Sequence, residues 1–241
     1  GSVNGIKING FDETSRADGS RAGGIRAYWK AEAAEKTASS PKFRQISLEL
    51  NKLVGLCYAT DELLQDSNAL EQAIVKGFTE EFNFKLQDAI INGTGAAPPL
   101  GILNSGCIVS VGAESGQSAD TIVYQNILKM WSRLKADSRT NAVWLINQNC
   151  EPQLHQMSLA VGTGGAPVYL PPGGASASPY AILMGRPVVP VEQCPVLGDT
   201  GDIILADFSK YVAADKGGVQ QDVSMHVRFI YDESVFRVVY R

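Results

Sequence analysis

The 241-residue chain is predicted to fold as an α+β protein. Three observations carry that prediction. Leu70, Ile74, Phe78, Phe82, Leu86 and Ile90 repeat an apolar residue at every fourth position, the signature of one long amphipathic helix. Residues 25–29 and 43–50 alternate apolar with polar, the strand signal. Short apolar runs then recur through the second half of the chain and read as buried strands.

Taken in order, residues 10–24 hold Gly, Ser, Asp and Arg with almost nothing to bury, and read as a flexible arm. Segments 25–29 and 43–50 flank the small, polar stretch 31–41 and are predicted to form a long hairpin over 22–52. Such a ribbon is marginal alone in water, so it is expected to lie on something. Thr60 is placed to cap a short helix. The long helix is expected over about 68–91, opened by an Asn68–Glu71 capping box and stopped at Asn92-Gly93 by a left-handed glycine. A second amphipathic helix is expected over about 121–135, with Val123, Ile127, Met130, Trp131 and Leu134 on one face. Residues 142–146 read as a buried strand, after which Asn147 is expected to cap a helix reaching Leu159. Residues 161–179 contain five Gly and four Pro and read as a long loop. Strands are expected at 187–190, 203–205 and 211–213, and over 223–241 with a break near Asp232-Glu233. That last pattern is unfinished at Arg241, and the chain is expected to continue.

Composition narrows function. Apolar residues make up 44% and charged residues 19% of the chain, enough for a core and too little charge for bulk disorder. No apolar run reaches the roughly 18 residues of a membrane span, so no membrane partner is expected. A net charge of −4 argues against a dedicated nucleic-acid binder. The charge is divided: residues 1–60 carry nine Lys/Arg against six Asp/Glu, and the remainder carries twelve against nineteen. A basic N-terminal part on an acidic body suggests attraction within one subunit or between copies.

Candidate chemistry is sparse. Cys57, Cys107, Cys150 and Cys194 lie 43 to 50 residues apart with no CxxC pair. With only His155 and His226 beside them, they lack the spacing of a zinc site and read as reduced, mostly buried thiols; a disulfide stays open because pairing cannot be read from sequence. Gly93-Thr94-Gly95 follows a helix instead of a strand and lacks the third glycine of a phosphate cradle. Gly162-Thr163-Gly164-Gly165 lacks the Lys-Ser/Thr of a nucleotide loop, and no GxSxG elbow is present. Tyr28-Trp29 beside basic residues could stack on single-stranded nucleic acid, but an aromatic anchor on a neighbouring subunit is the stronger reading. Asp232 and Glu233 would face opposite sides of a strand, which argues against joint catalysis. No catalytic, cofactor or metal site is expected.

The order of motifs resembles the major capsid proteins of tailed bacteriophages, which share the Hong Kong phage capsid fold. The matching residues are GSRAGGIRAYW (19–29), PKF (41–43), YATDELLQD (58–66), INGTG through PLGILN (91–104), VWLIN (143–147), GRPVVPVEQ (185–193), GDIILADFSKY (201–211) and HVRFIYDESVFR (226–237). The resemblance implies an N-arm at 1–21, an extended E-loop hairpin at 22–52, a P-domain from 53–104 and 221–241 with its spine helix at about 68–91, and an A-domain at 105–220. It implies self-assembly as hexamers and pentamers into an icosahedral head shell of a tailed phage or prophage. That shell would enclose double-stranded DNA, contacted nonspecifically. The implied location is the virion, with assembly in the bacterial host cytoplasm and a scaffold segment, head protease and portal as partners. Many family members carry a charged, helical scaffold segment ahead of the mature part; none is visible in these residues, which are expected to be the mature or the ordered part.

Inter-subunit contacts are expected from Arg26, Tyr28, Trp29, Lys30, Lys36, Lys42, Phe43 and Arg44 on the hairpin, and from Glu80 and Glu81 on the helix. Some members join an E-loop lysine to a neighbour's asparagine. Lys36 occupies the lysine position and Asp232-Glu233 the acidic one, but the acceptor position falls on Met225, whose thioether offers no amide. Two other readings are weighed: an encapsulin-like cellular nanocompartment shell with the same fold, and a small-molecule-binding α+β enzyme supported only by the Gly-rich loops.

Overall fold

A computed structural model describes residues 4–13, 15, 17–60, 62, 68–161, 164–167, 169 and 182–241. The chain divides into two compact units. One comprises Gly1–Val54, Ala213–Gln221 and Val238–Arg241; the other comprises Gly55–Val212 and Asp222–Arg237.

In the first unit, β1 (Gly5–Phe11) runs antiparallel to β2 (Phe43–Glu49). The register sets Ile6 against Leu48, Ile8 against Ile46 and Phe11 against Phe43. Residues 5–11, within the expected N-arm, form a strand that the sequence reading did not anticipate, and, against expectation, residues 25–29 are not a strand. Ala22 and Gly23 take left-handed conformations, φ 48° and 70°, and turn the outgoing leg away from β2, whose edge β1 then occupies. Gly23 is required there, because a Cβ would stand 2.6 Å from the Lys42 carbonyl oxygen. From Ile25 to Lys42 the two legs stay in touch through the Lys42 N–H donating to the Gly23 carbonyl at 2.7 Å and the Arg26 N–H donating to Ser39 Oγ at 3.1 Å.

The long helix, α1, spans Asn68–Asn92, about 37 Å at 1.5 Å per residue. Its stripe behaves as expected: Leu70, Ile74, Phe78 and Leu86 are half-buried, while Phe82, Ala89 and Ile91 are buried. The Asn68–Glu71 capping box rests on a side chain outside those described. Phe78 and Phe82 meet edge to face, 6.4 Å apart, against β3 (Leu53–Thr60), where Gly55 leaves room for both rings. Sequence reading missed β3, whose residues are apolar on both faces and do not alternate. Thr60 closes this strand; the helix expected to start there falls on residues outside the described ones, apart from Glu62. β3 lies at one edge of a three-stranded sheet of order β10–β11–β3, where β10 is Gln220–Arg228 and β11 is Glu233–Tyr240. The break expected near Asp232-Glu233 is a 3₁₀ turn, Phe229–Tyr231, closed by Asp232 at φ 51°. Asp232 is therefore a turn residue and does not lie in a strand.

A four-stranded sheet of order β7–β8–β4–β9 forms the principal core. Its strands are β4 (Val143–Ile146), β7 (Ile182–Leu183), β8 (Arg186–Pro190) and β9 (Ile203–Ala206). β4 pairs parallel with β8 and antiparallel with β9. Period-2 alternation sorts the side chains onto two covered faces. Trp144, Ile146, Val188 and Ile203 pack with Ile127 of α2 (Tyr124–Arg133) and Leu154 of α3 (Glu151–Gln156). Leu145 and Ile204 pack with Ile91 at the end of α1 and with Cys194. The Trp144 indole is fully buried, and its Nε1–H donates to the Leu183 carbonyl at 2.9 Å.

Three further expectations are corrected here. The helix after Asn147 ends at Gln156, and β5 (Ser158–Val161) follows. β5 pairs with β6 (Gly164–Pro167), so the expected long loop begins as a hairpin; residues 168 and 170–181 lie outside those described. Tyr211–Ala213 is not a strand; the Tyr211 N–H instead closes a 3₁₀ turn onto the Phe208 carbonyl.

Candidate assembly surfaces

The hairpin candidates stand in water. Trp29 is 104% exposed, Tyr28 46% and Phe43 66%, while Arg26, Lys30, Lys36, Lys42 and Arg44 are all exposed. Phe43 stacks on Phe11 at 5.3 Å, an aromatic pair that closes one end of the β1–β2 ribbon. The Lys30 ammonium lies 5.6 Å from the Tyr28 ring centroid. The Tyr28 hydroxyl beside Arg26 holds that guanidinium above its ordinary pKa. The structure thus groups Arg26, Tyr28 and Lys30 on one leg and gives Trp29 no cover. On α1, Glu80 pairs with Lys76 at 3.7 Å and Glu81 with Lys85 at 3.9 Å, both exposed. A basic group arriving at Glu80 or Glu81 therefore competes with a partner already in place, and each exposed pair contributes only about 0–1 kcal/mol.

Two apolar surfaces escaped sequence reading. Ile6, Ile8, Ile46 and Leu48 share one face of the ribbon, which in this subunit is left largely open. The alternation of Gly5–Phe11 was a legible signal, masked by its glycines. On β10, alternate residues Val223, Met225 and Val227 are exposed, and Phe229, Ile230 and Tyr231 continue the patch around the turn. Arg228 steadies that turn. Its guanidinium lies 4.5 Å from the Tyr58 ring and 5.5 Å from the Tyr231 ring, and donates to Glu233 at 3.0 Å. Glu233, the resemblance's acidic position, is thus engaged with Arg228.

The motif INGTG through PLGILN is a helix stop with a built-in clasp. Gly93 is not left-handed; it is needed because a Cβ would collide with the carbonyl oxygens of Pro99 and Ala89. The Gly101 N–H donates to the Gly93 carbonyl at 2.8 Å. Asn104 Nδ2 donates to the carbonyls of Asn92 and Gly93 at 2.9 and 3.1 Å, covering acceptors that a helix end leaves open. Asn92 Nδ2 donates to Asp88 Oδ1 at 2.8 Å and to the Gln193 carbonyl at 2.7 Å.

His155 meets Tyr169 edge-on at 5.2 Å, and His226 is exposed on β10. Burial pushes the Cys150 and Cys194 thiols up to about 11, with the Asp202 charge adding to the first and Cys150 to the second. Thiols held neutral are poor nucleophiles and poor metal ligands. Cys107 is exposed and Cys57 half-buried. Hydrogen bonds from Ser209, Oγ at 2.6 Å and N–H at 3.0 Å, hold the Asp207 carboxyl below its ordinary value and fix the turn after β9. Among the described residues, no cluster of His, Cys, Asp and Glu could hold a metal ion, and no helix is long and apolar enough to cross a membrane.

An α+β chain with a long helix, a two-stranded ribbon and surfaces left open in the subunit fits an assembling protein, and comparison bears on which kind. Residues 7–241 match the profile of the phage capsid family, and the chain belongs to that family. A capsid polyprotein of Pseudomonas phage PAJU2 is 25% identical over 229 residues, covering 92% of this chain and 32% of that protein. The chain thus spans about a third of the length of the curated relative it matches. The capsid of a native GTA particle superposes with a TM-score of 0.77 at 18% identity, covering 100% of this chain and 80% of that one. A chain from Microbacterium phage Oxtober96 superposes at 0.67 with 13% identity, covering 100% and 79%. The fold is α+β, of the Hong Kong phage capsid type.

Proposed function

We propose that the chain is a major capsid protein that self-assembles as hexamers and pentamers into the icosahedral head shell of a tailed phage or prophage, enclosing double-stranded DNA. The observation that carries this reading is the open apolar face of the β1–β2 ribbon, with an uncovered Trp29 beyond it, in a chain of the phage capsid family. A ribbon of two strands is marginal alone, and contact with other copies supplies the missing cover. Several unlike contacts per subunit then add up to a stable shell. In this reading residues 1–21 are the N-arm, 22–52 the E-loop, 53–104 with 221–241 the P-domain and 105–220 the A-domain. The ten hairpin and helix residues named above are inter-subunit contacts. The protein works structurally and not as an enzyme, in the virion, after assembly in the host cytoplasm with a scaffold segment, head protease and portal. The acidic chain repels phosphate, so DNA contact is nonspecific.

Electron microscopy of the purified protein tests this: closed shells or ring-shaped capsomers are expected, and a monomer at high concentration and moderate salt would count against it. Nucleic-acid content separates a head shell from an encapsulin-like compartment. With Met225 at the acceptor position and Glu233 engaged by Arg228, particles should dissolve to a single band of one protomer's mass on a denaturing gel, with no covalent multimers. A covalent ladder lost on Lys36→Ala would contradict that.

A further inference from the structure

β10 is the edge of its sheet: it pairs with β11 on one side, and among the described residues no strand pairs with its other side. An unpaired edge of nine residues is a template for another strand, and natural edges are blunted with proline, lysine, a bulge or a cover. The central Val223-Ser224-Met225 carries none of the first two, and β10 runs unbroken from Gln220 to Arg228. The His226 N–H donates to Ser224 Oγ at 3.3 Å, a contact local to the exposed strand. Val223, Met225 and Val227, 57%, 59% and 68% exposed, line one face of this edge.

The strand is also complementary to itself. An antiparallel pairing of two copies about a two-fold axis at Ser224 matches all nine residues: Gln220 with Arg228, Gln221 with Val227, Asp222 with His226 and Val223 with Met225. Like charges never meet. The Asp222 carboxylate, which holds Arg237 at 2.6 Å and is still more than half exposed, faces the imidazole of the other copy twice over. Because the register sums are even, the Val223, Met225 and Val227 faces of the two copies join into one apolar surface. From this geometry we propose that β10 pairs with β10 of a second copy of this chain, making a continuous six-stranded sheet across a two-fold contact. The pairing rests on the shell reading above, which brings copies together; it adds the strand, the register and the symmetry of one contact.

The test uses the full chain with Cys107→Ser to remove the exposed thiol, plus Ser224→Cys. Paired residues on the axis have Cα atoms about 5.5 Å apart, within disulfide range. Two copper(II)-phenanthroline complexes each take one electron, becoming copper(I), and the two thiol protons pass to the buffer as the S–S bond forms. Ser224→Cys should move most of the protein to a dimer band that reductant reverses. Gln220→Cys is the control, since in this register its two copies lie about 27 Å apart. A Gln220→Cys link equal to that of Ser224→Cys, or no link at Ser224→Cys, overturns the proposal. If Ser224→Cys loses its thermal transition, Val223→Cys/Met225→Cys replaces it, because those residues face each other across the same axis. Particle formation is scored separately by electron microscopy. Particles without the link sink the pairing and leave the shell reading standing. A linked dimer without particles supports the pairing and counts against the shell. Neither link nor particles counts against both.

Discussion

β4 and β2 are both apolar-bearing strands, yet their side chains end in opposite surroundings. On β4, Trp144 and Ile146 are fully buried among α2, α3 and the neighbouring strands, and Leu145 is buried on the other face against Ile91. On β2, Ile46 and Phe43 remain exposed although each has its cross-strand partner in β1. The difference is the number of layers. β4 has a covering element on each face, whereas most side chains of the ribbon stay exposed beyond their cross-strand partners. Apolar alternation states that a face needs cover; it does not say which chain provides it.

The largest expected effect separates the two tryptophans. Trp144→Ala removes a buried indole and its hydrogen bond to Leu183, and should lower subunit stability by about 3–5 kcal/mol in chemical denaturation. Trp29→Ala should leave subunit stability within about 0.5 kcal/mol and instead reduce the yield of particles seen by electron microscopy. Equal losses of subunit stability would break the comparison.

Replacing residues 31–41 with a short Gly/Ser turn should likewise keep the thermal transition and impair assembly. Reversing the charges of Arg26, Lys30, Lys42 and Arg44 should weaken assembly most at low salt, where screening is least, as light scattering would show. Normal shells from both variants would mean the hairpin is not the arm between subunits.

On the covered side, Asn104→Ala strips the clasp from the α1 end. Because two carbonyls lose a donor, a cost of about 1–2 kcal/mol is expected in the same denaturation measurement, with no change in the ribbon. The thiols give a test that acts only at high pH. Cys150 and Cys194 titrate near 11 when folded against 9.0 as the ordinary value. Their stabilisation is therefore whole below pH 9 and is lost as pH rises toward 11, when the unfolded chain ionises first. Unfolding midpoints should fall across that window, and fall less in Cys150→Ala/Cys194→Ala measured against its own value at pH 8.

Legibility in the sequence followed the same division. α1, β4, β8 and β9 could be read because each buries its stripe or face within the subunit, so the apolar period matches the packing. β3 was missed because both its faces carry apolar residues around Gly55, leaving no alternation to detect. Ile25–Trp29 was misread because alternation alone cannot reveal that left-handed Ala22 and Gly23 turn the leg aside, or that Gly5–Phe11 fills the edge of β2. The helix stop at Gly93 was placed correctly for a different reason: close approach of Pro99, not a left-handed backbone. Of the candidate contacts, residue types and exposure were legible; in the assembly we propose their counterparts belong to other copies, about which one chain's pattern carries no information.

α1 is anchored at two places along its length: Phe78 and Phe82 sit over Gly55 of β3, and Ile91 and Asn92 are fastened to Leu145, Cys194 and the Gln193 carbonyl. A helix turns by about 100° per residue, so these anchorages are locked in phase. Inserting or deleting a single residue between Phe82 and Ile91 would leave composition and helix propensity almost untouched, yet swing one anchorage a quarter-turn or more out of its socket. The segment therefore behaves as a gauge of angle as well as length, and tolerates substitution on its outer side far better than any change in residue number.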